Sequence, residues 1–319
     1  MDGKVHLIPF QVIKQVKEVN EVPKGVEMIQ APKIWDQTKG KGITVAILDT
    51  GCDTTHSDLK ERIVGGRNFT NDDRGNIDVY EDYNGHGTHV AGTIAAIESN
   101  TGVVGVAPES NLLIVKVLDE SGSGQYKWII NGINYAIEEK ADIISMSLGG
   151  PEDVPELHEA IQKAVNNNIL VVCAAGNAGD GDESTDEFDY PGCYNEVISV
   201  GAIDLQRRSS DFSNSNNEID LVAPGEEILS TYLNGTYATL SGTSMAAPHV
   251  SGALALIKVL TNTSFERNLT EAELYAQLIK RTLPLGNSPK LEGNGLVYLT
   301  VMDHLSEIFD QQFATQLMS

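Results

Sequence analysis

The sequence predicts an α/β fold: a three-layer, doubly wound, mostly parallel sheet with helices on both faces. Short runs rich in β-branched residues recur along the chain, and they are apolar throughout rather than at alternate positions. That is the pattern of strands covered on both sides. Stretches of helical periodicity lie between several of these runs, joined by short connections. No internal repeat and no linker divides the middle of the chain.

Taken in order, the expected strands are ITVAIL (43–48), LLIVKVL (112–118), DIISMS (142–147), ILVVCA (169–174), VISVG (197–201) and IDLVA (219–223). One helix is expected around 128–137, where Ile129, Ile130, Ile133 and Ile137 sit between polar residues. A second covers about 155–166, with Leu157, Ala160, Ile161, Ala164 and Val165 on one face. A third, strongly apolar, opens near Ser244, with Pro248 in its first turn where a missing N–H costs little. Residues 1–20 form no evident core unit and read as an extension to a body spanning 21–298. In the tail, 299–319, Met302, Leu305, Phe309, Phe313 and Leu317 recur at helical spacing. That tail is either a helix packed on its own domain or an element that docks a partner.

The 319 residues carry a formal charge of −23. Nucleic acid and anionic membranes are thereby excluded as main partners, since both would be repelled by the whole-protein field. No window approaches about 18 uninterrupted apolar residues, and the N-terminus has neither an apolar core nor a cleavage site of the secretory type. Three cysteines, Cys52, Cys173 and Cys193, lack CxxC spacing. They read as reduced thiols of an intracellular protein rather than a disulfide or zinc framework.

Reactive groups of an open parallel sheet belong at the carboxyl ends of its strands. Asp49 ends the first strand before Gly51; by itself it would read as a turn or cap residue. His86 lies between Gly85 and Gly87 in NGHGTHVAGT, with little bulk to shield its ring. Ser244 follows Gly242 and Thr243 in SGTSMAAPH, and alone would be an ordinary helix cap. Together the three supply what acyl transfer requires: a hydroxyl that attacks, an imidazole that takes its proton, and a carboxylate that fixes the imidazole tautomer. His86 and His89 are not a zinc pair, for no third ligand has suitable spacing and the HExxH glutamate is missing. His89 reads as a buried structural histidine.

With DTG, HGTHVAG and GTSMAAPH present in that order, the chain resembles the subtilisin-family serine proteases over roughly 22–298. The resemblance implies a subtilisin-like fold, a catalytic triad of Asp49, His86 and Ser244, and Asn177 of AAGN as a donor to the oxyanion beside the Ser244 N–H. In subtilisin itself such a side-chain donor is worth roughly 3–4 kcal/mol. The same resemblance makes Gly122, Ser123 and Gly124, with Ser147, Leu148 and Gly149, two edges that sandwich an extended peptide. It also makes Ala174, Ala175 and Gly176 a wall of the pocket for the side chain preceding the cleaved bond (S1), leaving that pocket roomy.

Calcium is implied as well, with other cations open at weaker sites. Asp58 and the carbonyls of Ile97, Thr101 and Val103 fall on ligand positions, but Ser99 stands where the family has a side-chain amide, a weaker arrangement for a hard cation. A second site would use carbonyls of Gly192, Tyr194 and Val197. Between them, six carboxylates crowd positions 180–189 beside the predicted pocket. Self-repulsion is expected to disorder that loop until calcium binds; otherwise it is simply a solvated loop.

The resemblance is nearest to the intracellular subtilisins of Bacillus-type bacteria, whose short leader carries a Leu-Ile-Pro-aromatic motif, here Leu7, Ile8, Pro9 and Phe10. An extended apolar segment can enter the cleft as a substrate does, and a proline near the scissile bond holds it out of line. The expectation is thus a cytoplasmic endopeptidase, made as a precursor blocked by residues 1 to about 18, calcium-dependent and homodimeric. The alternative is a catalytically silent peptide-binding or scaffolding protein on a protease fold, against which four intact catalytic positions argue. An esterase or lipase would require a GxSxG elbow, which GTSMA does not supply.

Overall fold

The structure is a computed structural model describing residues 4–302. Its centre is a nine-stranded sheet. In spatial order the strands are Thr282–Leu283, Leu296–Val297, Leu221–Pro224, Ile198–Ile203, Leu170–Ala174, Ile143–Met146, Thr44–Asp49, Asn111–Lys116 and Ile63–Asn68. All neighbours pair in parallel except the first two, which are antiparallel. The six strands expected from the sequence are all present, each within a few residues of its predicted limits.

Alternate residues of each strand enter different cores. Val45, Ile47, Leu112, Ile114, Leu170 and Val172 face one side with the buried helices His86–Ala95 and Thr243–Ser264. Ala46, Leu48, Leu113, Val115, Val171 and Cys173 face the other, under the amphipathic helices Tyr126–Glu138 and Pro155–Asn166. Both faces being apolar is what made the strands visible as unbroken runs. Thr243–Ser264 is long and apolar enough by composition to cross a membrane, but 83% of its most apolar window is buried within the protein.

The extension, read from the sequence as no core unit of its own, joins the cores of the body. Rather than lying outside any core, it supplies two strands. Lys4–Leu7 is the middle strand of a small antiparallel sheet between Ser123–Gln125 and Leu148–Gly149. Gln11–Val16 pairs antiparallel with Thr236–Ser241. Val5 and Ile8 are buried, the former in one core and the latter in the other. The physical reason is that this segment finds its partners far along the chain, which local periodicity does not reveal. Apart from Met302, the apolar positions expected in the C-terminal tail lie outside the described residues.

Candidate active site

Asp49 is the last residue of its strand, His86 the first of its helix, and Ser244 lies in the first turn of Thr243–Ser264. All three side chains are buried. The His86 Nδ1 lies 2.8 Å from Asp49 Oδ1 and 3.0 Å from Oδ2, so the carboxylate receives Nδ1–H and leaves Nε2 as the basic nitrogen. Asp49 Oδ1 also accepts the Thr50 N–H at 2.7 Å.

Two glycines make this assembly possible. Gly85 precedes the His86 helix at φ 102°, and a Cβ there would meet the Tyr232 ring at 2.4 Å. Gly242 precedes the Ser244 helix at φ 156°, and a Cβ there would lie 2.9 Å from Asn177 Nδ2.

Residues not singled out by the sequence hold the site rigid. Asp82 accepts N–H bonds from Asn84, Gly85 and Thr88 and hydroxyl bonds from Thr50 and Thr88, all within 3.0 Å. It thereby ties the start of the His86 helix to the residue after Asp49. Its i to i+2 bond to Asn84 is an Asx turn, a signal present in EDYNG. Lys116, wholly buried, donates to the Thr50 carbonyl at 2.6 Å and pairs with Asp72 at 3.0 Å, fixing the same turn from beneath. Thr243 gives both its N–H and its hydroxyl to Asn177 Oδ1, at 2.9 and 2.8 Å. That orients the Asn177 amide nitrogen toward the cleft.

The cleft is filled by the chain's own leader. His6 and Leu7 are in register with Gly149 and Leu148, and Val5 and His6 with Gly124 and Ser123; the Leu7 N–H donates to the Gly122 carbonyl at 2.8 Å. Asn177 Nδ2 donates to the Pro9 carbonyl at 2.6 Å. The Phe10 ring lies 4.9 Å from the His86 ring. His86 Nε2 is buried without a hydrogen-bond partner, and the Ser244 hydroxyl donates instead to the Ser147 carbonyl at 3.3 Å. The sequence-predicted triad, Asn177, both edges and the leader motif therefore meet in one place. Gly176 reaches it, its N–H donating to the Thr243 hydroxyl at 3.2 Å, and Gly192 is packed against Ala174 and Ala175.

The expected metal ligands are only partly gathered. Asp58 does lie against the 97–103 loop: its carbonyl accepts the Ile97 N–H at 2.9 Å and its carboxylate the Val103 N–H at 3.2 Å. The Tyr237 hydroxyl bonds the same carboxylate at 3.0 Å. Carbonyl and carboxylate oxygens are the right donors for a hard cation, although the Ser99 hydroxyl is turned onto the Thr101 carbonyl. In the second segment the Tyr194 carbonyl accepts the Val197 N–H at 3.2 Å. Two carboxylates of the acidic loop are bonded to residues outside it. Lys290 pairs with Asp186 at 2.7 Å, and Glu187 accepts the Ser215 N–H at 3.0 Å.

A nucleophile, a base and its orienting carboxylate at the carboxyl end of a parallel sheet, with a preset oxyanion donor, define a serine hydrolase of the acyl-transfer type. The chain belongs to the subtilase family, whose model matches residues 40–297. It is 72% identical over 319 residues, covering 100% of this chain and 98% of its relative, to an intracellular serine protease of Paenibacillus polymyxa. To the major intracellular serine protease of Bacillus subtilis it is 63% identical over 313 residues, 98% of each chain. Subtilisin E of the same organism is 44% identical over 277 residues, 86% of this chain and 70% of that one.

Proposed function

We propose that the protein is an intracellular serine endopeptidase held inactive by its own N-terminal segment. Ser244 Oγ attacks the substrate carbonyl and passes its proton to His86 Nε2. The imidazolium, stabilised by Asp49, then protonates the leaving amine, and water resolves the acyl-enzyme by the reverse sequence. The developing oxyanion is received by Asn177 Nδ2 and by the Ser244 N–H, which a first-turn helical position leaves free of an intrahelical partner.

One observation supports the inhibitory reading above the others. The carbonyl held by Asn177 belongs to Pro9, yet the side chain seated beside Gly149 belongs to Ile8. A cleavable substrate places the carbonyl and the side chain of one and the same residue in these two positions. The leader is out of step by one residue, and the ring of Pro9, fixed in φ, prevents it from sliding into place. Phe10 meanwhile covers the base. The two edge strands give the leader the backbone bonds of a substrate without its reactive geometry.

Calcium would be held by Asp58 with the Ile97, Thr101 and Val103 carbonyls, where it would stiffen the loop rather than enter the chemistry. The full-length relatives are named as intracellular, which accords with the reduced cysteines Cys52 and Cys173, both buried. Labelling by a fluorophosphonate after removal of the leader, abolished by Ser244→Ala, tests the catalytic assignment. A leader-free protein that takes no label would leave a silent peptide-binding protein as the better account.

A further inference from the structure

The helix that carries His86 has no side-chain cap of its own. Its N-cap is Gly85, at φ 102°, and a Cβ there would meet the Tyr232 ring at 2.4 Å, so the usual capping side chains are kept out. The N–H groups that such a side chain would satisfy are taken up from other parts of the chain. Thr50 Oγ1 accepts the Gly87 N–H at 3.0 Å, and Asp82 Oδ2 accepts the Thr88 N–H at 3.0 Å. Thr50 directly follows Asp49. The carboxylate that orients the base and the cap on the helix of that base are thus neighbours in one turn.

The Thr50 side chain is wholly buried, and every polar atom of the residue is committed. Its N–H donates to Asp49 Oδ1 at 2.7 Å, the oxygen that lies 2.8 Å from His86 Nδ1. Its hydroxyl, while accepting from Gly87, donates to Asp82 Oδ1 at 2.9 Å. Its carbonyl receives the Lys116 ammonium at 2.6 Å. The same turn presses on the start of the helix: a Cβ on Gly87 would lie 2.1 Å from the Gly51 carbonyl oxygen. One residue therefore bonds to both sides of the Asp49–His86 contact and sets where the helix begins. A carboxylate and an imidazole can bond in many relative placements. An imidazole that must also take a proton from Ser244 has far fewer.

We propose that Thr50 is a positioning residue, whose hydroxyl caps the His86 helix and so holds the imidazole between Asp49 and Ser244. This rests on the serine endopeptidase reading and deepens it at the same site. Valine has the shape of threonine without the hydroxyl. It leaves the Gly87 N–H unpaired and takes one donor from Asp82, which frees the start of the helix to shift. Serine keeps both bonds. The shift disturbs a proton transfer rather than the edges that grip the peptide, so the loss falls on kcat.

In the test each chain is expressed in full and freed of its leader, and rates are counted per site titrated with fluorophosphonate, so that unfolded molecules do not enter. Thr50→Val is expected to lower kcat on a peptide anilide by roughly 10- to 100-fold with KM changed less than about threefold. Thr50→Ser is expected to stay within about threefold of the unsubstituted kcat. Thr50→Ala carries the expectation of the valine variant should that chain not fold. When Asp49→Ala has already undone the alignment, adding Thr50→Val lowers kcat by less than about threefold, because the two residues act as a unit. A kcat indifferent to valine and alanine, an equal loss with serine, a loss confined to KM, or an undiminished loss beside Asp49→Ala would each overturn the role of Thr50 while the endopeptidase reading stands. If the unsubstituted enzyme neither cleaves nor takes the label, that reading falls and this one with it.

Discussion

The side-chain amide of Asn177 donates to the carbonyl of Pro9 at 2.6 Å, so the group proposed to receive the oxyanion is occupied by a residue of the same chain. Asn177 is held for this task from behind, where Thr243 donates twice to its oxygen. The leader, for its part, is held by strand pairing on both sides and by buried Val5 and Ile8. On the proposed reading, inhibition uses the binding apparatus of the cleft intact and spoils only the alignment.

Preorganisation of Asn177 predicts a specific kinetic loss. In leader-free protein, Asn177→Ala lowers kcat by about 10²- to 10³-fold, a magnitude established in subtilisin itself, with KM little changed. Steady-state kinetics on a peptide anilide measures it. A change confined to KM would mean that the amide binds substrate and transition state alike.

The out-of-step leader predicts the effect of replacing its proline. In full-length Pro9→Ala the restriction on φ is removed, an N–H is restored, and the carbonyl of Ile8 can move to Asn177. The leader is then cut faster than in the unsubstituted protein, as intact-mass spectra over time would register, and it stays whole when Ser244→Ala is added. An unchanged cleavage rate would place the inhibition elsewhere, with Phe10 over His86 as the remaining cause.

Two buried histidines outside the chemistry predict how stability depends on pH. Burial lowers the pKa of His89 to about 3 and that of His249 to about 4. Both are neutral in the fold, whereas in the unfolded chain each takes up a proton near pH 6.5. Between those limits the unfolded state binds more protons. The stabilisation is therefore complete above about pH 6.5 and is lost as pH falls toward 4 and then 3, by at most about 1.4 kcal/mol per pH unit for each histidine. Urea midpoints of the Ser244→Ala protein at pH 7.5, 5.5 and 4.5 should decline, and with a shallower slope when His89→Gln is added. Equal slopes would contradict the burial argument.

The calcium site expected at Asp58 and the 97–103 loop predicts a calcium-dependent stability. Chelation with EDTA lowers the melting temperature of the Ser244→Ala protein, and calcium restores it. In Asp58→Asn the shift shrinks. A melting temperature indifferent to chelator would remove calcium from the account.

What the sequence made legible follows from what each feature depends on. Strands buried on both faces appear as apolar runs, so ITVAIL and ILVVCA were plain. The edge strand Ile63–Asn68, with two glycines and only one neighbour, has no such pattern. Asp49, His86, Ser244 and Asn177 were legible because each sits within two residues of a glycine in a short motif. Asp82, Lys116 and Thr243 were not, since their roles are set by partners such as Thr50, 32 residues from Asp82, or Asn177, 66 residues from Thr243. Asp189 was read as one charge among six, and only the bridge between Gly150 and Tyr190 lays it alongside Gly149.

Cleavage of a small peptide anilide by the full-length protein, set against the protein lacking residues 1–18, tests the central claim most directly. The account predicts little activity in the first, at least a tenfold gain in the second, and loss of that gain on adding the leader back as a peptide at saturating concentration. Equal activity of the two proteins would contradict it.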